Sequence, residues 1–129
     1  MRVFLSHSGE RSLEMARLLK RWLPNVIQSI KPWISEEIPK GSRWRTRLDE
    51  ALEDTKVGII CLTATNLTSP WILFESGAIS KTKDARVCTL LLDNDPTDIV
   101  GPLSDFEHTK FEKEQIRKLI HDLNSILPE

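Results

Sequence analysis

The chain has few of the segments and charge biases that mark special classes of protein. No apolar run reaches the roughly 18 residues needed to cross a bilayer, so we expect no membrane contact within this chain. Residues 1–10, MRVFLSHSGE, are too short an apolar stretch for a signal peptide, and a cytoplasmic protein is expected. Eighteen basic and 19 acidic residues leave a net charge of -1, without the positive surplus that binding to nucleic acid depends on.

The sequence also lacks the patterns of metal and cofactor sites. Its three histidines do not stand at zinc-ligand spacing with either cysteine, and no acidic cluster has a divalent-cation pattern. Neither a GxxxxGK[ST] phosphate loop nor a GxGxxG dinucleotide loop is present. We therefore expect no metal and no bound cofactor. The two cysteines, Cys61 and Cys88, lie inside apolar runs, which predicts two small core residues.

Apolar runs and helical spacings alternate along the chain. With 40% hydrophobic and 29% charged residues, the composition predicts a single folded domain over residues 1–129. Three short apolar runs rich in β-branched residues predict buried strands at 2–6, 56–63 and 86–93. Two weaker segments predict further strands at 29–35, which contains Pro32, and at 107–111. Apolar residues at helical spacing predict amphipathic helices around Leu13, Ala16, Leu19 and Leu23, around Trp44, Leu48 and Leu52, and around Ile116, Leu119, Leu123 and Ile126.

This alternation predicts an α/β fold. Right-handed βαβ units give a flavodoxin-like, doubly wound and mostly parallel sheet of about five strands flanked by helices. Ligands of such sheets bind at the carboxyl ends of the strands where the winding reverses, between strands 1 and 3. The loops at that point are residues 6–10 and 63–71.

Residues 69–80, SPWILFESGAIS, contain one charged residue, Glu75. Ser69 and Pro70 predict the start of a helix, since serine is a favoured cap and proline fits the first helical position. Glu75 then lies near the helix start beside the predicted crevice, with Trp71 four residues earlier on the same face. A carboxylate among apolar residues is costly, so its presence indicates either a chemical role, a partner, or a position on the solvent side of the helix.

Four segments together resemble a bacterial Toll/interleukin-1 receptor (TIR) domain: VFLSHS, SEEIPKGSRW, GIICLT and SPWILFESGA. The resemblance covers essentially all 129 residues and implies the TIR fold. It implies that a glutamate in the helix after the third strand, here Glu75, cleaves the nicotinamide–ribose bond of NAD as substrate. It implies further that the loop from about Ser35 to Arg45 helps to form the site and mediates self-association, and that the domain acts in defence or signalling.

The chemistry agrees with one carboxylate acting alone. An ordinary glycoside generally needs a second carboxyl group to protonate the departing oxygen, whereas nicotinamide leaves NAD as a neutral molecule. Glu75 is the candidate catalytic residue. Trp71 is either a pocket wall or a core residue. The candidate substrate-binding residues are Ser6, His7, Ser8, Lys40, Arg43, Trp44 and Trp71.

Two other functions remain open at this point. Many TIR domains are adaptors, so a non-catalytic interaction module that works by self-association is the main alternative. Nucleoside deoxyribosyltransferases also combine such a fold with a glutamate near the anomeric carbon of a sugar. A phosphorylated receiver domain fits poorly, because the third strand ends CLTA without an aspartate.

Overall fold

A computed structural model of the chain describes residues 1–34, 44–82 and 85–126. Within these ranges five strands form one sheet: β1 Arg2–Ser6, β2 Lys31–Ile34, β3 Thr55–Leu62, β4 Arg86–Leu91 and β5 Glu107–Lys110. The strand order is β2-β1-β3-β4-β5, and each neighbouring pair is parallel. The predicted doubly wound, flavodoxin-like sheet is confirmed.

Four α-helices of the described chain cover the sheet, and the first three connect consecutive strands: α1 Glu10–Val26, α2 Trp44–Leu52, α3 Pro70–Ser80 and α4 Lys113–Ser125. The connection from β4 to β5 differs from the others, because it contains two 3₁₀ turns, Pro96–Asp98 and Gly101–Asp105. No helix in the described ranges combines the length and the apolar character that crossing a membrane requires.

Strand ends differ from the predicted ones for local reasons. β2 begins at Lys31 and not at residue 29, and it lies at an edge of the sheet, where the missing N–H of Pro32 is tolerated. β4 ends at Leu91 and not at residue 93. Asp93 instead turns its carboxylate to the loop after β3, where it accepts a hydrogen bond from the backbone N–H of Ala64 at 2.8 Å.

The sheet separates two apolar cores. One core packs α1 and α4 against the face that carries Val3, Leu5 and Ile59, and the other packs α2 and α3 against the face that carries Phe4 and Ile60. Successive side chains of a strand point to opposite faces, so Ser6 shares the face of Phe4. The last residue of β1 therefore points toward the layer that contains α3.

Gly58 of β3 allows α3 to lie close to the sheet. A Cβ added at this glycine would come within 2.8 Å of Cγ1 of Ile79, which is too short for a real contact. Ile79 is fully buried, so it has little room to move away. Any larger residue at position 58 would push α3 outward.

We expect Gly58→Ala to lower the free energy of unfolding by about 1–3 kcal/mol, the usual cost of overpacking a core. Gly77→Ala is the matched control, because a Cβ at Gly77 meets nothing within 4 Å among the described residues. In a helix that substitution should raise the free energy by up to about 1 kcal/mol. Urea unfolding of both variants measures the difference. Equal stability of the two would contradict the close approach at Gly58.

Candidate functional site

The start of α3 is built as the sequence predicts. Ser69 is the N-cap, and its Oγ accepts a hydrogen bond from the backbone N–H of Ile72 at 3.5 Å. Pro70 is the first helical residue, where its missing N–H costs nothing. This local chemistry fixes where α3 begins, and with it the position of Glu75 on the second turn.

Glu75 lies on the buried side of α3. The buried residues of this helix are Ile72, Glu75, Ser76 and Ile79, a spacing that defines one helix face. Glu75 has an exposed fraction of 0%. A glutamate on the solvent side of the helix is therefore excluded. A carboxylate occupies a position that a structural helix would fill with an apolar side chain.

The fold provides a hydrogen-bond donor for this carboxylate. Ser6 Oγ donates to Glu75 Oε1 at 2.7 Å, and Ser6 is also 0% exposed. The contact joins the carboxyl end of β1 to the second turn of α3. It lies at the edge of the sheet where ligands of this fold class bind.

A second contact joins the same two elements. Ser69 Oγ donates to Ser8 Oγ at 2.8 Å, so the cap residue of α3 is held by the loop after β1. The backbone N–H of Ser8 donates to Ser12 Oγ at 3.1 Å, and Ser12 Oγ donates to the carbonyl of Cys61 at 2.7 Å. The loop after β1 is thus tied both to α3 and to the end of β3.

Asn66 connects the loops after β1 and β3. Its side-chain amide donates to the carbonyls of Ser8 and Cys61 at 3.0 and 3.1 Å. Its Oδ1 accepts from the backbone N–H of Thr63 at 2.8 Å. All three of these bonds join the Asn66 side chain to backbone groups, so Asn66 is a structural cross-link. Its position in a predicted loop gave no sign of this role.

Asp93 extends the tie to the loop after β4. Besides Ala64, its carboxylate pairs with the guanidinium of Arg11 on α1 at 2.5 Å. Three loops at the carboxyl edge are therefore linked by side chains. These links lie at the same edge of the sheet as the contact between Ser6 and Glu75.

Trp71 is half-buried and packs against a second aromatic residue. Its ring stacks on Phe74, with centroids 5.8 Å apart and an interplanar angle of 28°. Phe74 is 37% exposed, so this pair faces solvent in part. The contact with Phe74 was not predicted, although its position three residues after Trp71 indicates a shared helix surface.

The other predicted site residues are placed as follows. His7 is half-buried and directly follows β1. Lys40 and Arg43 lie outside the described residues, as does most of the loop from Ser35 to Arg45. Trp44 is the first residue of α2, and its side chain is outside the described part. Their roles stay predictions.

The two cysteines are free and buried, as predicted. Burial raises the pKa of the Cys61 thiol, and the nearby groups of Cys88 and Glu75 raise it further. Burial likewise raises the pKa of Cys88 to about 12. Both thiols stay protonated at neutral pH and so are poor nucleophiles. Among the described residues, no group of three or more histidine, cysteine or acidic side chains is arranged to hold a metal ion.

Comparison with protein families gives a match over most of the chain. The family model of the TIR domain matches residues 3–120. The disease resistance protein TAO1 of Arabidopsis thaliana is 31% identical over 109 residues, which is 81% of this chain. The chain spans 9% of the length of that relative.

Two solved structures share the fold at low identity. The TIR domains of the activated Roq1 resistosome, which recognises the pathogen effector XopQ, align with a TM-score of 0.63 and 19% identity over 95% of this chain and 72% of that one. A 2-deoxyribosyltransferase from Bacillus psychrosaccharolyticus aligns with a TM-score of 0.57 and 15% identity over 98% of this chain and 93% of the enzyme.

Replacing Trp71 and Trp33 by alanine tests whether Trp71 is less important to the core than Trp33. Trp33 is 7% exposed and packs on Phe4 with ring centroids 4.5 Å apart. Trp33→Ala should lower the free energy of unfolding by roughly 3–5 kcal/mol, the usual cost for a core tryptophan. Trp71→Ala should cost only about 1–2 kcal/mol, because Trp71 is half-buried and removes less surface from water than a core tryptophan. Urea unfolding compares the two. Losses of the same size would make Trp71 a core residue.

Proposed function

Because the chain belongs to the TIR domain family, we propose that it is an NAD glycohydrolase, which cleaves the bond between nicotinamide and ribose in NAD. Glu75 is the catalytic residue of this proposal. NAD is the substrate and not a resident cofactor, in agreement with the absence of a GxGxxG loop from the sequence.

The observation that carries the proposal is the burial of Glu75. A carboxylate at 0% exposure lowers the stability of a fold unless its surroundings compensate, and here Ser6 donates to it at 2.7 Å. It lies on α3 beside the carboxyl ends of the strands, where ligands of doubly wound sheets bind. The position of Glu75 and the loss of stability that a buried carboxylate causes together support a chemical role for this side chain.

The reaction needs a negative charge more than it needs an acid. The bond from C1′ of the ribose to the nicotinamide nitrogen breaks, and both bonding electrons leave with nicotinamide, which becomes neutral. The positive charge passes to the ribose as an oxocarbenium-like centre. Water adds to C1′ and releases a proton, so the products are ADP-ribose, nicotinamide and one proton.

A carboxylate beside that ribose stabilises the transition state more than the ground state. The charge on the sugar develops as the bond breaks, and a fixed negative group next to it therefore lowers the barrier. The apolar neighbours of Glu75, among them Ile72 and Ile79, exclude water and strengthen the interaction. No second carboxyl group is required, because the leaving group takes up no proton.

The surrounding loops supply the remaining contacts in this proposal. Trp71 and Phe74 offer a flat aromatic surface next to Glu75 for a base or a sugar. His7 and Ser8, which follow β1, are proposed to contribute polar groups to the substrate, while the hydroxyl of Ser6 contacts Glu75 itself. Lys40 and Arg43 are proposed to bind the pyrophosphate, and Trp44, at the start of α2, to complete the pocket.

Self-association is proposed to regulate the activity. The Roq1 TIR domains, which share this fold, were solved in an activated resistosome, and TAO1 is named as a disease resistance protein. Residues 35–47 carry two glutamates at one end and four basic residues at the other, a pattern suited to a head-to-tail contact between copies. The proposed setting is cytoplasmic defence or signalling.

A non-catalytic interaction module is the second candidate. The same relatives support it, because TAO1 is a disease resistance protein and the Roq1 TIR domains belong to an assembled resistosome. A non-catalytic function, however, gives no chemical reason for the burial of the Glu75 carboxylate. Release of nicotinamide by the purified chain distinguishes the two candidates.

A deoxyribosyltransferase-like enzyme is the third candidate, favoured by the alignment with such an enzyme over 98% of this chain. Both reactions break an N-glycosidic bond, but a transferase passes the sugar to a second base. Supplying a free purine as acceptor with a deoxynucleoside donor tests this directly. Base exchange without hydrolysis of NAD would favour the transferase.

Glu75→Gln should abolish the reaction while keeping the fold. Glutamine retains the shape and accepts the hydrogen bond from Ser6, but the charge is gone, so turnover of NAD should fall by about 10² or more. The free energy of unfolding should be unchanged or increased, since a buried charge is removed. Exposed Glu14 provides the control, and Glu14→Gln should leave turnover intact. A folded Glu75→Gln variant with undiminished turnover would falsify the catalytic assignment.

Turnover per molecule should rise with protein concentration. If the site is completed by a neighbouring copy, dilution over about a hundredfold separates the copies and lowers the specific activity. Arg43→Glu or Lys40→Glu should depress activity without unfolding the domain. Lys56→Glu, at the exposed amino end of β3, is the control for charge reversal away from the site. A flat concentration profile with active Arg43 and Lys40 variants would mean that each monomer carries a complete site.

A further inference from the structure

The hydroxyl of Ser6 is committed to Glu75. A serine hydroxyl has one proton to donate, and in Ser6 this proton goes to Glu75 Oε1 at 2.7 Å. Both side chains are fully buried, so bulk water does not compete for the bond. What Ser6 has left to offer a ligand is its acceptor lone pairs.

Ser6 lies at the end of the contact that belongs to the sheet. It is the last residue of β1, which pairs with β2 on one side and with β3 on the other. Ser69, six residues before Glu75, is held by Ser8 of the following loop at 2.8 Å. α3 is thus attached to the end of β1 at its cap and again at Glu75, which leaves the helix little freedom to rotate about its axis.

We propose that Ser6 is a positioning residue for Glu75. By holding Oε1, it selects one rotamer of the glutamate before substrate binds, so that the carboxylate need not reorganise during the reaction. This inference rests on the proposed function of Glu75. It differs from a role in binding NAD, because Ser6 acts on the carboxylate and not on the substrate.

The two roles predict different kinetics. A misplaced catalytic group lowers the rate of the bond-breaking step, so loss of a positioning residue reduces kcat and leaves KM nearly unchanged. Loss of a substrate ligand that binds ground state and transition state equally raises KM and leaves kcat unchanged. Ser6→Ala therefore distinguishes them.

A spectroscopic arm tests the contact without any turnover. In protein labelled with 13C at the glutamate carboxyl carbon, the resonance of Glu75 is the one that disappears in Glu75→Gln. Ser6→Ala should shift or broaden this resonance. Ser76→Ala is the matched control, because Ser76 is a buried serine on the same helix whose hydroxyl donates to the carbonyl of Leu73. That variant should leave the Glu75 resonance in place.

The kinetic arm measures release of nicotinamide from NAD. Ser6→Ala should lower kcat about tenfold or more with little change in KM, while Ser76→Ala keeps the wild-type values. Ser6→Thr retains the hydroxyl and should recover kcat to within about threefold of wild type. If Ser6→Ala does not fold, Ser6→Cys replaces it, since the thiol has a similar volume and donates weakly.

The outcomes separate this inference from the proposed function. An unmoved Glu75 resonance in Ser6→Ala overturns the positioning role, whatever the activity. A raised KM with normal kcat overturns it as well and makes Ser6 a substrate ligand. A wild-type chain that releases no nicotinamide overturns the proposed function, and the spectroscopic arm still decides whether Ser6 orients Glu75. A shifted resonance together with a reduced kcat supports both.

Discussion

The hydrogen bond from Ser6 to Glu75 is the contact on which the candidate site depends. An ionised carboxylate loses its hydration when it is buried, and hydrogen-bond donors such as Ser6 offset that loss. The position would hold an apolar residue if packing alone mattered, since its neighbours on the buried face of α3 include Ile72 and Ile79. A buried carboxylate at this position is the feature on which the proposed chemical role of Glu75 rests.

The loops around this contact are held together by side chains and not by packing alone. Asn66 ties the loop after β3 to the loop after β1, and Asp93 brings in the loop after β4. Such links restrict the motion of residues that surround Glu75. A fixed arrangement is useful in a site that stabilises a developing charge, because groups that are already oriented need not rearrange during the reaction.

The elements of the fold were predictable because their signals are local. Buried parallel strands appear as short apolar runs, and the start of α3 follows from the adjacent Ser69 and Pro70. Glu75 was identified for a similar reason, as one charge within an apolar segment, supported by resemblance to a family. The contacts that define the site were not predictable in this way. Ser6 and Glu75 are 69 residues apart, and they meet only because α3 packs on the sheet face to which Ser6 points.

Two further features could not be predicted from the sequence, because they too depend on contacts between distant residues. The close approach of Ile79 to Gly58 depends on how α3 crosses β3, which a lone glycine in a strand does not reveal. The role of Asn66 depends on carbonyls contributed by two different loops. In each case the partner residues are distant in sequence, so no periodicity or spacing relates them.

The central claim is that the carboxylate of Glu75 lies next to the ribose carbon at which NAD is cleaved. A crystal structure of the Glu75→Gln variant with bound NAD tests it most directly, because the variant should bind the substrate without consuming it. The account predicts that C1′ of the nicotinamide ribose lies about 3–3.5 Å from the side chain at position 75, the separation of reacting groups. NAD bound with that ribose away from α3 would contradict the account.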